Sequence, residues 1–172
     1  MLTPTQTSLE KFQKHVVSQS KRNLTLKNKN VTKALYNSIT GDVKESKNSI
    51  QILFTMLEYG YFQDRGVKGV KSGKSLSGFS YKDKMPPAKA FDLWNIKRGF
   101  APRDKNGKFL PRKSLNFAMA RHVYNYGIKP TEFFTKPFDS AFKNLPDEMV
   151  ETYGLEVEKL FDQIMIQNFK KK

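Results

Sequence analysis

Ser49-Ile50-Gln51-Ile52-Leu53-Phe54-Thr55-Met56-Leu57-Glu58-Tyr59-Gly60-Tyr61-Phe62-Gln63-Asp64-Arg65-Gly66 starts as the clearest strand in the chain and closes on a glycine-bounded turn. Ile50, Ile52, Phe54 and Met56 alternate with polar residues, the period of a strand with one buried face, while Leu53 and Leu57 fall on the other side. Residues 42–48 can pair back on it, with the reversal near Ser46-Lys47-Asn48. Two strands alone are marginal in water, so a helix must cover them. The chain offers one just upstream. Thr3-Pro4-Thr5-Gln6 is a helix start, and Leu9, Phe12 and Val16 recur at helical spacing as far as about Arg22. The expected fold is therefore α+β, a small antiparallel sheet packed on a long N-terminal helix.

Working outward, residues 23–30 read as a polar loop, followed by a short helix carrying Val31, Leu35 and Ile39 and stopped by Gly41. Beyond Gly66 comes a stretch rich in Gly, Ser and Lys, read as a flexible basic arm. Pro86-Pro87 opens a helix with Ala90, Leu93, Trp94 and Ile96, ended by Gly99, and Asn106-Gly107 marks a tight turn between two basic arms. Ser114 is placed to cap a helix whose stripe is Leu115, Ala118, Met119, His122, Val123 and Tyr126, with Gly127 as its stop. Thr135 is placed to cap a short helix bearing Phe138, Ala141, Phe142 and Leu145. Pro146-Asp147-Glu148 then opens a last amphipathic helix running toward Lys170-Lys171-Lys172. The length of 172 residues suits a single domain over 1–172, with a helix-hairpin core in 1–66, a basic insertion in 67–113 and a helical completion in 114–172.

Charge narrows the range of partners. The formal net charge is +15, and residues 65–113 hold 14 Lys/Arg against 3 Asp/Glu, whereas residues 114–172 hold 8 of each. A concentrated basic excess is an electrostatic footprint for nucleic acid or an acidic protein surface. The candidate contacts are Lys68, Lys71, Lys74, Lys82, Lys84, Arg98, Arg103, Lys105, Lys108 and Arg112. Phe79, Tyr81, Phe100 and Phe109 are interleaved with them, placed either to stack on bases or to anchor on a neighbouring protein. There is no cysteine, and the apolar runs are far too short to span a bilayer, so no membrane partner is expected.

Catalytic motifs are weak. Gly69-Val70-Lys71-Ser72-Gly73-Lys74-Ser75 imitates a phosphate-binding loop, but that motif needs a glycine at position 68, where this chain has Lys68. His15 and His122 lack metal-ligand partners at helical spacing and read as interior or boundary residues. Neither an enzyme activity nor a cofactor or metal is expected.

Three segments resemble the small tail-completion and neck proteins of tailed bacteriophages: Leu35-Tyr36-Asn37-Ser38-Ile39, Tyr59-Gly60-Tyr61-Phe62-Gln63-Asp64-Arg65-Gly66, and Phe134-Thr135-Lys136-Pro137-Phe138. The family pattern has Ala and Glu where this chain has Gly60 and Asp64, and a Thr after the glycine that is missing here. The resemblance covers about half the chain and leaves a long insertion from about residue 67 to 127 outside it. It implies a virion structural protein in a six- or twelve-fold homo-oligomeric ring between portal and tail, touching portal or adaptor and tail proteins. A basic segment would face packaged double-stranded DNA or acidic neighbours. Tyr59, Gly60, Phe62, Asp64, Gly66, Phe134 and Pro137 would then be structural, and the turn a corner of the fold rather than a binding site. The alternative is a stand-alone, nonspecific DNA- or RNA-binding accessory protein.

Overall fold

The structure, a computed structural model, describes residues 4–46, 49–71 and 75–147. In chain order it contains α1 (Pro4–Leu26), α2 (Ala34–Ser38), β1 (Thr40–Ser46), β2 (Ser49–Thr55), α3 (Tyr59–Arg65) and β3 (Val67–Lys68). A 3-10 turn (Ala88–Phe91) leads into α4 (Asp92–Lys97), then α5 (Arg112–Tyr126), β4 (Gly127–Ile128) and α6 (Thr135–Phe142). The fold is α+β. Its contacts separate into two compact units, one drawing on Met1–Arg22, Ile39–Thr55 and Phe134–Lys172, the other on Asn23–Ser38 and Met56–Phe133.

The first unit realises the expected helix and hairpin. β1 and β2 pair antiparallel from Thr40↔Thr55 to Ser46↔Ser49, and the hydroxyls of Thr40 and Thr55 are 2.6 Å apart at the open end. Leu9, Phe12, Val16 and Leu145 form the buried cluster, with Val43, Ile50, Ile52, Phe54, Phe134, Phe138 and Ala141 packed against it. Alternation on β2 is kept, since Ile50, Ile52 and Phe54 are half-buried while Gln51 and Leu53 are exposed. The centre is aromatic. Phe12 meets Phe54 and Phe138 edge-on at 6.3 and 5.7 Å, and Phe54 meets Phe134 at 5.3 Å. Edge-to-face pairs of this kind each add on the order of 1 kcal/mol beyond simple burial. Gly41 lets β1 approach α1, because a Cβ there would lie 2.5 Å from the Gln13 amide nitrogen.

α1 runs past Arg22 to Leu26, beyond the expected end, because its stop signal lies further on. Asn28 takes φ 53°, and the N–H groups of Asn28 and Lys29 donate to the carbonyls of Thr25 and Leu24 at 3.0 and 2.9 Å. That pair of bonds around a left-handed residue is a Schellman ending, for which Asn is the usual non-glycine choice. The segment read as a loop from residue 23 is thus partly helix. The short helix after it is confined to Ala34–Ser38, and β1 already begins at Thr40.

In the second unit, α3 replaces the expected turn at 59–66, and Gly66 ends it with φ 77°. The segment read as a flexible arm is tied down by backbone hydrogen bonds at several points. β3 pairs with β4, and Lys68 exchanges backbone hydrogen bonds with Phe79 and Tyr81 at 2.9 Å each. The Leu76 N–H donates to the Arg65 carbonyl at 2.7 Å, and the Ser75 hydroxyl to the Gly66 carbonyl at 3.1 Å. Each β3–β4 strand has only two residues, and the partners are about sixty positions apart, so no local pattern announces them.

α5 begins at Arg112, behind Pro111, rather than at Ser114. Its inward face is also rotated: Asn116 and Ala120 are buried, whereas Ala118, His122 and Tyr126 are exposed. A polar relay fixes this phase. Asn95 on α4 donates to the Asn116 side-chain oxygen at 2.6 Å, and Asn116 donates to Asp92 at 2.9 Å. These bonds set the rotation against the apolar stripe, although the Asn95 side-chain oxygen is buried with no hydrogen-bond partner among the described residues. α6 starts with Thr135 already inside the helix, behind Phe134. The expected last helix, beyond Asp147, lies outside the described residues.

Candidate nucleic-acid interface

Every candidate basic contact that is described belongs to the second unit; Lys74 lies outside the described residues. Lys68 sits on β3 with Lys71 just after it, Lys82 and Lys84 follow Tyr81, and Arg112 opens α5; all are exposed. Two groupings are held by specific geometry.

The first is a hairpin tip. Arg103 bridges Phe109, and the Asp104 carboxylate accepts the N–H groups of Asn106 and Lys108 at 2.9 and 2.8 Å. The expected turn at Asn106-Gly107 forms here, with Gly107 at φ 80°. The Arg103 guanidinium lies 3.9 Å from the Phe109 ring centre and donates to the Gly107 carbonyl at 3.0 Å. Lys105 and Lys108 are left exposed on this braced loop. The chemistry suits phosphate contact without reading sequence.

The second grouping escaped the charge count, because half of it comes from the helix α1 ending. Arg98 stacks 5.6 Å over Trp94 and donates to the Asn28 carbonyl. It thereby joins Lys97 in lining a cavity of about 220 Å³ with Thr25, Asn28 and Asn30. Burial lowers the pKa of the Lys29 ammonium, and the charges of Arg98 and Lys27 lower it further. The only signal for this cluster in the sequence is Lys27 and Lys29 flanking the helix-ending Asn28.

The start of the imitation of a phosphate-binding loop is tied into the fold. The N–H groups of Val70 and Lys71 donate to the carbonyls of Tyr124 and Asn125 at 2.9 Å each, so neither is available to cradle phosphate. His15 and His122 are exposed rather than interior, and His122 lies against Tyr126 at 4.9 Å. Among the described residues no group of His, Asp or Glu is arranged to hold a metal ion, and no helix is long and apolar enough to cross a membrane.

The residues of the family-like motifs divide between the units. Phe134 and Pro137 pack in the first, Pro137 buried. In the second, Gly60 is buried where a Cβ would lie 2.7 Å from the Met56 sulfur and 2.8 Å from a Leu35 methyl. The Asp64 carbonyl accepts the N–H groups of Thr131 and Glu132 at 3.0 and 2.9 Å, while the Asp64 side chain is buried. Tyr59 and Phe62 do more than turn a corner. With Val67, Phe79, Tyr81 and Ile128 they wall a cavity of about 390 Å³.

These features define an α+β protein with a basic, aromatic-bearing unit. No family model matches the chain, and neither a curated protein nor a solved structure matches it.

Proposed function

We propose that the chain is a virion structural protein of the tail-completion or neck type. Copies assemble as a ring between portal and tail, and the basic unit faces packaged DNA or an acidic neighbour. The function is assembly and contact rather than catalysis. The observation that carries the reading is the balance of apolar surface. Among the described residues seventeen large hydrophobic side chains are exposed, while ten hydrophobic side chains are buried. Phe79, Leu93, Phe109 and Phe117 are each more than half exposed. Apolar side chains left out in this number are covered when subunits or partners meet. The motif-like segments add support at their buried positions, Leu35, Ile39, Gly60, Asp64 and Pro137. Light scattering coupled to sizing, at low and high salt, tests this. A discrete species of six or twelve copies is expected, and a chain that stays monomeric at high concentration in both salts refutes it.

A second reading, an accessory protein that binds nucleic acid on its own, is favoured by the braced basic tip at 103–109. It predicts a monomer whose affinity for DNA falls steeply with salt.

A further inference from the structure

The geometry points to a binding site for an unpaired nucleobase of single-stranded nucleic acid, in the cavity between α3 and the Phe79–Tyr81 segment. Its volume of about 390 Å³ falls in the roughly 300–1,000 Å³ range of small-ligand sites. Tyr59, Phe62, Phe79 and Tyr81 supply four aromatic rings to the wall. Phe62 meets Phe79 edge-on at 5.2 Å and 84°, which braces the Phe79 ring while leaving it 54% exposed. A ring braced by its neighbours and still more than half exposed is a stacking platform.

Gln63 distinguishes this wall from a greasy patch. It lines the cavity, and its side-chain amide nitrogen is buried with no hydrogen-bond partner among the described residues. An unsatisfied buried amide is costly, so turning it into the cavity to meet the polar edge of an occupant is favourable. A nucleobase has such an edge, and glutamine amides pair with base edges. A hydrocarbon side chain from a neighbouring protein has none. Ser80 adds a hydroxyl to the wall. Burial pushes the Tyr81 phenol above its ordinary pKa, so it remains a protonated donor at neutral pH.

Charge selects the same occupant. The backbone bonds from Lys68 to Phe79 and Tyr81 fix an exposed lysine alongside the stacking wall, and Lys82 follows Tyr81 directly. Among the described residues no carboxylate lines the cavity. A base tethered to phosphates meets cations there. A base inside a duplex cannot enter, because its faces and pairing edge are already used.

The test is fluorescence anisotropy of the full chain with a short labelled oligo-dT and with an abasic oligomer carrying the same number of phosphates. The oligo-dT is expected to bind at least about fivefold tighter, the lower end of what one stacked base contributes. Phe79→Ala should bring oligo-dT down to the abasic affinity and leave abasic binding unchanged, and Gln63→Leu should narrow the gap. Equal binding of the two oligomers by the unaltered chain overturns the proposal, and this comparison needs no variant to fold. It is also overturned if Phe79→Ala weakens both oligomers equally, or abolishes self-association without touching base preference. The last outcome assigns the cavity to a second copy of the chain. The proposal does not depend on ring formation, since base preference is read whatever the oligomeric state.

Discussion

Gly127 and Gly107 have nearly the same φ, 77° and 80°, in different surroundings, and replacing each by alanine separates backbone strain from close packing. Gly127 also has ψ −166°, a region reserved almost entirely for glycine, and it ends α5 by donating its N–H to Val123. A Cβ at 127 would collide with the Val67 carbonyl oxygen and lie 2.6 Å from the Gly69 nitrogen, both backbone atoms of the β3 segment that cannot swing aside. A Cβ at 107 meets nothing within 4 Å. Gly107→Ala should therefore cost only the conformational term, about 1–2 kcal/mol. Gly127→Ala adds to about 1–3 kcal/mol of strain the loss of one or more β3–β4 hydrogen bonds at about 1 kcal/mol each. The sum is about 2–4 kcal/mol or more, a large part of the roughly 5–15 kcal/mol that holds a typical domain. Urea unfolding followed by far-ultraviolet circular dichroism reads both variants, through the midpoint and slope of the transition. Midpoints that agree within error, or a milder effect at 127, would refute the close crossing of β3 and β4. Because Val67 and Ile128 line the aromatic cavity, Gly127→Ala should also weaken oligo-dT binding, whereas Gly107→Ala should leave it intact.

Asn116→Ala should destabilise by about 1–3 kcal/mol in the same urea assay, because it strands the buried Asn95 amide and one Asp92 oxygen together; an effect no larger than that of an exposed α5 position such as Ala118→Ser would refute the relay. Lys29 binds its proton less readily folded than unfolded, so its charge costs stability at neutral pH, and the cost disappears as pH rises toward 10.5. Lys29→Gln should accordingly raise Tm at pH 7 with a gain that shrinks above pH 10, and a Tm that falls at pH 7 would refute the crowding of Lys27, Lys29 and Arg98.

Much of the first unit was legible in the sequence because its signals are local. The alternation of Ile50, Ile52 and Phe54 fixes which face of β2 is buried, and Leu9, Phe12 and Val16 mark the matching stripe on α1. The basic tip was legible for the same reason, since Asn106-Gly107 carries its own turn chemistry. The candidate site was less so. The charge count found Arg98 but passed over Lys27 and Lys29, and Tyr59 and Phe62 were read as a corner although they wall a cavity with Phe79 and Tyr81.

By itself, then, the sequence determined the α+β class, the presence of a helix-covered hairpin, the turn at Asn106-Gly107 and the excess of positive charge, because neighbouring residues or composition carry each of them. Tertiary structure decided the rest. The phase of α5 follows from an amide pair twenty-one residues apart, the docking around Lys68 from two-residue strands that meet across the chain, and the cavity from rings that no periodicity brings together. Hydrogen bonds and ring contacts between distant residues carry no local signature, and they are what place the aromatic wall beside the lysines.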